Sequence, residues 1–147
     1  MIKTLIALLM LAPILFADGL PVKIEKPWLQ AVPSVASDTA AFMKIQNLSQ
    51  ASIKLVGGVT DIATHVEPMI TTTQNNEGGK MLGMESVPAL EIPPGGTLVL
   101  KPGGKHLMVM GLKSHPKEGD RVKIVLLFSP GNQKVDVELA VLKQEPK

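Results

Sequence analysis

The feature that most constrains this chain is a rhythm of short apolar runs separated by turn-forming residues, at intervals of about ten residues. Each run is rich in β-branched residues and partly alternates apolar with polar positions, a pattern typical of β-strands. The chain also contains 12 Pro and 13 Gly and shows no amphipathic helical stripe after its N-terminal segment, which argues against a helical bundle. The predicted strands are 22–29, 40–47, 52–56, 62–70, 81–87, 97–101, 106–112, 121–129 and 134–142.

The predicted fold class is all-β. Short strands at this spacing favour a Greek-key β-sandwich of the cupredoxin-like or immunoglobulin-like kind. Within it, Leu126 and Phe128 are predicted core residues, and Trp28 is predicted to anchor the core or a sheet edge. His115 lies in the polar turn SHPKEGD, where we expect it to be exposed and without a functional role.

The N-terminal segment, residues 1–17, has the composition of a secretory signal peptide. Lys3 precedes an apolar run of about a dozen residues that ends at Ala17, a suitable cleavage position. The run is short for a membrane span, which needs about 20 apolar residues, and an uncleaved signal anchor is the alternative. No Cys follows it, so we expect no lipid anchor. The sequence thus predicts an exported, periplasmic protein with a single mature domain, residues 18–147.

Charge and cysteine content exclude several classes of function. Removal of Lys3 with the signal leaves 14 of the 15 basic residues against 13 acidic ones, so there is no electrostatic case for binding nucleic acid or an anionic membrane. A chain without Cys has no disulfide, no thiolate nucleophile and no blue-copper electron-transfer centre. No nucleophile elbow or phosphate-binding loop is present either, and we expect no enzymatic activity.

One stretch, KPGGKHLMVMGL at 101–112, brings together candidate metal ligands. His106, Met108 and Met110 occupy alternate positions, so they leave one face of the predicted strand. Thioethers and imidazole suit Cu(I), whereas Mg²⁺ and Ca²⁺ require oxygen ligands. Met110 lies deeper along the strand, where we expect it to pack. Met and His in an apolar strand are more often structural, so other parts of the chain must support the interpretation.

The spacing of these ligands resembles that of the PCuAC family of periplasmic copper chaperones. The family's pattern is a His or Met, ten residues, a Met, twenty-one residues and His-x-Met. Here twenty-one residues separate Met84 from His106, and Met108 completes the motif. The resemblance covers nearly the whole mature domain, including AAFMKIQN (40–47), ALEIPPGGTLVLKPGGKHLMVMGL (89–112) and KEGDRVKIVLLF (117–128).

The first ligand of the pattern departs from the family. VEPM at 66–69 puts Met69 where the family's first ligand follows Val-Glu-x, but fourteen residues separate Met69 from Met84. We place the four extra residues in the polar hairpin 71–79, because a surface turn accepts an insertion at small entropic cost.

Three other residues compete with Met69 for the first ligand position. Strict counting selects Thr73, a poor copper ligand. His65 shares a face with Met69 but lies four residues away, about 13 Å along an extended strand, so the two could not contact one ion. Met81 is three residues from Met84 and therefore faces the other way in a regular strand. We rank Met69 first, His65 second and Met81 third.

The resemblance implies a periplasmic metallochaperone that binds one Cu(I) per chain through Met69, Met84, His106 and Met108. Its implied partner is a copper-accepting protein, either a cytochrome c oxidase subunit whose copper centre is being assembled or another copper chaperone. Two alternatives remain open: an exported structural or adhesive β-sandwich in which the Met residues are core, and a copper-dependent redox enzyme with an open site.

Overall fold

The computed structural model describes residues 20–147, apart from the side chains of 74–76 and 80–82. Ten strands and no helix occur in that range, which confirms the all-β prediction, and no helix there could cross a membrane. The predicted signal peptide, 1–17, lies outside the described residues. The strands are β1 (Val22–Gln30), β2 (Asp38–Asn47), β3 (Ile53–Val59), β4 (Ala63–Asn76), β5 (Gly79–Ser86), β6 (Leu90–Ile92), β7 (Thr97–Leu100), β8 (His106–Leu112), β9 (Arg121–Ser129) and β10 (Gln133–Leu142).

Each of the nine predicted strands overlaps an observed one, and two differences stand out. Strand β6 was not predicted, because three residues are too few to show a period. The segment 71–76, predicted as part of a polar hairpin loop, is instead the last part of β4. Its three consecutive Thr residues are β-branched and favour an extended chain. The turn that joins β4 to β5 is only two residues long, Glu77 and Gly78.

All ten strands belong to one connected sheet that curls into a barrel-like shape. The order is β5-β4-β8-β2-β1-β10-β9-β3-β6, with β7 paired to β2, and a bridge between Gly58 and Val66 joins β3 back to β4. All the described pairs are antiparallel except β1 with β10. The described strands form one connected sheet, so the structure does not by itself confirm two packed sheets with Greek-key connections. The Greek-key sandwich stays a prediction.

The interior of the closed sheet holds the hydrophobic core. Leu126 and Phe128 are fully buried there, while the alternate residues Val125 and Leu127 are partly exposed, which confirms the predicted alternation. The same alternation divides β8: Leu107 and Val109 belong to the core, and the alternate residues His106, Met108 and Met110 leave the opposite face. The candidate ligands of β8 therefore lie on the outer face of the sheet, where they are not needed to fill the core.

Candidate metal centre

A tight turn positions His106 at the start of β8. The N–H of Lys101 donates to the carbonyl of Lys105 (2.9 Å), and the N–H of Gly104 donates to the carbonyl of Lys101 (3.0 Å). Gly103 has φ of 78°, a conformation that glycine adopts without steric penalty. This Pro-Gly-Gly turn delivers the chain into β8 with His106 on the outer face.

The surroundings of His106 fix which ring nitrogen is available. Its Nδ1 lies 3.1 Å from the carbonyl oxygen of Gly104. A carbonyl only accepts hydrogen bonds, so Nδ1 carries the proton and Nε2 holds the lone pair. The Thr71 hydroxyl donates to the same oxygen at 3.0 Å, which ties β4 to this turn. A carbonyl that holds one imidazole nitrogen while the other stays free is a common arrangement at metal-binding histidines.

The free nitrogen of His106 is buried without a hydrogen-bond partner. The residue is only 4% exposed, and no described protein atom lies within hydrogen-bond reach of Nε2. Leaving a buried polar atom unpaired costs about 1–3 kcal/mol, so native proteins rarely do so without a functional reason. A basic lone pair held in this state is suited to coordinating a metal ion.

A cavity of about 290 Å³ lies next to this imidazole. Three of the four predicted ligands, Met84, His106 and Met108, line it together. The remaining lining residues are small or apolar with one hydroxyl among them: Ala40, Phe42, Thr71, Gly83, Pro102 and Gly103. The structure therefore brings two thioethers and one imidazole, from β5 and β8, to a single water-accessible hollow on the outer face.

Strand register explains how the two Met residues reach the cavity. Met108 lies between Ala40 of β2 and Glu67 of β4, and the small side chain of Ala40 leaves space beside the thioether. Met84 lies on β5 opposite Thr71, where it is 64% exposed at the rim of the cavity. An exposed thioether in that position is available to solvent and to a second protein.

The fourth predicted ligand, Met69, lies beside the cavity and not in its lining. It is paired directly with His106 across β4 and β8, so the two side chains leave the same face of the sheet. It is 9% exposed, much less than Met84. On β5 it is paired with Ser86, which makes it a diagonal neighbour of Met84, at about 7–8 Å by the usual geometry.

The other candidates for the first ligand position either lie farther from the cavity or have side chains outside the described residues. His65 is paired with Met110, four residue pairs along the ladder from Met69, and does not line the cavity. Thr73 is exposed and paired with Leu82 towards the hairpin tip. The side chain of Met81 lies outside the described residues.

Aromatic side chains near the cavity were not predicted as part of the site. The Phe42 ring lies 6.4 Å from the His106 ring between centroids, and Trp28 packs on the other side of Phe42 at 4.7 Å. The sequence does contain a signal for Phe42. It lies two residues from Ala40 on β2, so both side chains leave the face of the strand that lines the cavity. Trp28 is only 3% exposed. Neither Trp28 nor Phe42 belongs to the core cluster inside the barrel, and the two rings pack against each other outside it.

The site differs from common cation sites in its donor chemistry. The part of the chain that the structure describes has no group of three or more His, Cys, Asp or Glu side chains placed to hold a metal. The donors at the cavity are instead neutral sulfur and nitrogen atoms, a set that favours a soft, monovalent ion. His115, predicted to be exposed, is partly buried; its Nε2 lies 2.6 Å from the carbonyl oxygen of Ala36, and it does not line the cavity.

Solved structures share this fold. The copper-bound PCuAC domain from PmoF2 matches with a TM-score of 0.67 and 22% identity, over 86% of this chain and 95% of that domain. The solution structure of the Cu(I) form of DR1885 from Deinococcus radiodurans matches with a TM-score of 0.66 and 41% identity, over 86% of this chain and 82% of that one. Fold and site together define an all-β domain of the PCuAC type.

A family model places the chain more narrowly. The model described as "Putative lipoprotein LpqE-like" matches residues 22–141, and the chain belongs to this LpqE-like family. One relative, described as "Putative lipoprotein Lxx21020" from Leifsonia xyli subsp. xyli (strain CTCB07), is 35% identical over 116 residues. That alignment covers 79% of this chain, and the chain spans 66% of the relative's length.

Proposed function

We propose that this chain is a periplasmic copper chaperone that binds one Cu(I) ion through Met69, Met84, His106 and Met108. The observation that carries the proposal is the buried, unpartnered Nε2 of His106 beside a cavity lined by two thioethers. An apolar β-domain gains nothing in stability from such an atom, whereas a soft-metal site requires it. The 41% identity to DR1885, whose Cu(I) form has been solved, supports the same metal.

The donor set explains why the ion is Cu(I). Three thioethers and one imidazole are neutral, and thioethers select Cu(I) over Cu(II) and over hard cations. The family pattern allows His or Met at the first position, and Met there makes this variant softer still. No carboxylate is needed, because the ion is held by donor softness and geometry.

Met69 completes the site through a modest rearrangement. Its pairing with His106 places its side chain on the correct face, while the cavity is already lined by the other three donors. Met has three rotatable bonds and adapts readily to irregular spaces. In this proposal a change of side-chain rotamer is sufficient to bring the Met69 sulfur to the ion, with no movement of the backbone.

The same features suit transfer of the ion to a partner. Met84 is exposed at the rim, so an acceptor protein can reach the ion from that side. Neutral ligands release Cu(I) to a partner that offers stronger, thiolate donors. The resemblance to the PCuAC chaperones supports a copper-accepting partner, for which we propose a cytochrome c oxidase subunit or a second copper chaperone. It supports a role in delivery and not in catalysis, and export through the signal peptide at 1–17.

A Cu(I) titration of the purified chain under anaerobic conditions tests the proposal. We expect one ion per chain by mass spectrometry and a rise in thermal stability, because a ligand that binds the native state stabilises it. Met84→Leu and Met108→Leu should each weaken binding at least tenfold with little change in packing. Met110→Leu, on the same strand and face, is the matched control and should bind like the wild type.

The outcome that contradicts the proposal is equally specific. If Cu(I) leaves the melting temperature unchanged, or if Met84→Leu and His106→Ala bind it like the wild type, the site is not the one described. The chain would then be an exported β-domain whose outer-face Met residues only pack.

A further inference from the structure

A second row of possible metal donors crosses the same outer face, separate from the cavity. His65 on β4 is paired with Met110 on β8, so an imidazole and a thioether leave one face as direct cross-strand neighbours. Glu67, two residues further along β4, brings a carboxylate oxygen to 3.6 Å from Nε2 of His65. Nitrogen, oxygen and sulfur donors therefore meet at one place that the proposed Cu(I) site does not use.

Nearby contacts orient the carboxylate of Glu67. The Ser86 hydroxyl on β5 donates to its Oε2 at 3.1 Å, while Oε1 is the oxygen nearest His65. A hydrogen bond to one carboxylate oxygen leaves the other oriented for a ligand, as at many metal sites. The side chains of His65 and Glu67 are 50% and 39% exposed, so an ion can enter from solvent and keep bound water.

His65 and Met110 lie apart from the cavity, and Glu67, which is paired with Met108, lies between them and the cavity. His65 lies four residues from Met69, about 13 Å along an extended strand, and the pair formed by His65 and Met110 is four residue pairs beyond the pair formed by Met69 and His106. One ion cannot contact both ends of that span. The two groups of donors would have to bind two different ions.

We propose that His65, Glu67 and Met110 form a second, solvent-facing metal site that takes Cu(II). The imidazole and the carboxylate are the harder donors and suit a divalent ion, and among first-row divalent ions Cu(II) binds such ligands most tightly. Met110 supplies the weak, long axial contact that thioethers make to Cu(II). Asp38, paired with Met110 on its other side, adds negative charge, which further favours a divalent over a monovalent ion. This proposal does not depend on the Cu(I) site.

Electron paramagnetic resonance of the chain titrated with copper sulfate in a non-coordinating buffer tests the second site. We expect a cupric signal with nitrogen hyperfine structure from one imidazole at one equivalent of Cu(II). His65→Ala should remove that nitrogen coupling, and both His65→Ala and Glu67→Gln should weaken Cu(II) binding at least tenfold. Both side chains are largely exposed, so urea unfolding should confirm that the variants stay folded.

The chain contains three His residues, and the other two serve as controls. His115→Ala should leave the Cu(II) signal unchanged. His106→Leu should abolish Cu(I) binding but retain the Cu(II) signal, which separates the fate of this proposal from that of the first. Nitrogen coupling and Cu(II) affinity that are unchanged in His65→Ala, or a Cu(II) signal that disappears in His106→Leu, would overturn the assignment of the second site.

Discussion

Replacement of His106 by Leu should abolish Cu(I) binding without lowering the stability of the apo fold by much. The substitution removes a buried nitrogen without a hydrogen-bond partner, whose burial costs about 1–3 kcal/mol. It also removes the hydrogen bond from Nδ1 to the Gly104 carbonyl, which contributes about 0.5–1.5 kcal/mol. That carbonyl keeps the Thr71 hydroxyl as a donor and is not left unpaired. The apo variant should therefore lie between about 0.5 kcal/mol less stable and about 2.5 kcal/mol more stable than the wild type.

Urea unfolding of the apo proteins measures this difference directly. A gain of 1 kcal/mol raises the melting temperature of a domain of this size by about 4 °C. With Cu(I) at 100 times its dissociation constant, the wild type should gain about 2.7 kcal/mol, and the variant should gain far less. If the apo variant were less stable by more than about 2 kcal/mol, Nε2 would have a stabilising partner, and the argument from an unpaired nitrogen would be wrong.

Four further predictions concern the other parts of the site. Met84→Ala should change the free energy of unfolding by less than about 0.5 kcal/mol, because the side chain is exposed, yet weaken Cu(I) binding at least tenfold. Met69→Leu keeps the buried volume, so it should cost less than about 1.5 kcal/mol while weakening Cu(I) binding; unchanged affinity would exclude this sulfur as a ligand. Cu(I) should alter the fluorescence of Trp28, the single Trp, through the adjoining aromatic row, and a flat titration would contradict that contact. Joint deletion of Thr73–Gln74 and Met81–Leu82 should restore the ten-residue spacing and leave copper affinity unchanged, as measured by competition titration.

Much of the fold follows from local patterns that the sequence displays. Alternation in 121–129 predicted which residues of β9 enter the core, and Pro-Gly-Gly at 102–104 predicted the turn before β8. Closure of the sheet through Gly58 and Val66 could not be predicted, because it depends on two strands bending towards each other over the whole barrel. The short strand β6 was missed for the opposite reason, that its three residues carry no periodic signal.

The candidate site was predictable in its donors but not in what surrounds them. Residue type, together with the resemblance to the spacing of the PCuAC family, selected Met84, His106 and Met108, and the structure gathers these three at one cavity. The double role of the Gly104 carbonyl, which accepts from both Nδ1 of His106 and the Thr71 hydroxyl, depends on a tertiary contact between β4 and the turn before β8. A sequence pattern contains no information of that kind. Every residue has a backbone carbonyl, so residue type does not indicate which one accepts these two hydrogen bonds.

The hairpin between β4 and β5 shows why a broken spacing can preserve a site. With a turn of two residues, an even number of inserted residues divides between the two arms and adds pairs only at the tip. The pairs nearer the barrel, Thr71 with Met84 and Met69 with Ser86, then keep both their register and their faces. An odd insertion would require a bulge or a longer loop and would disturb that ladder. The proposed site therefore depends on the pairing of Met69 with His106, and an even change in the number of residues between Met69 and Met84 leaves that pairing intact.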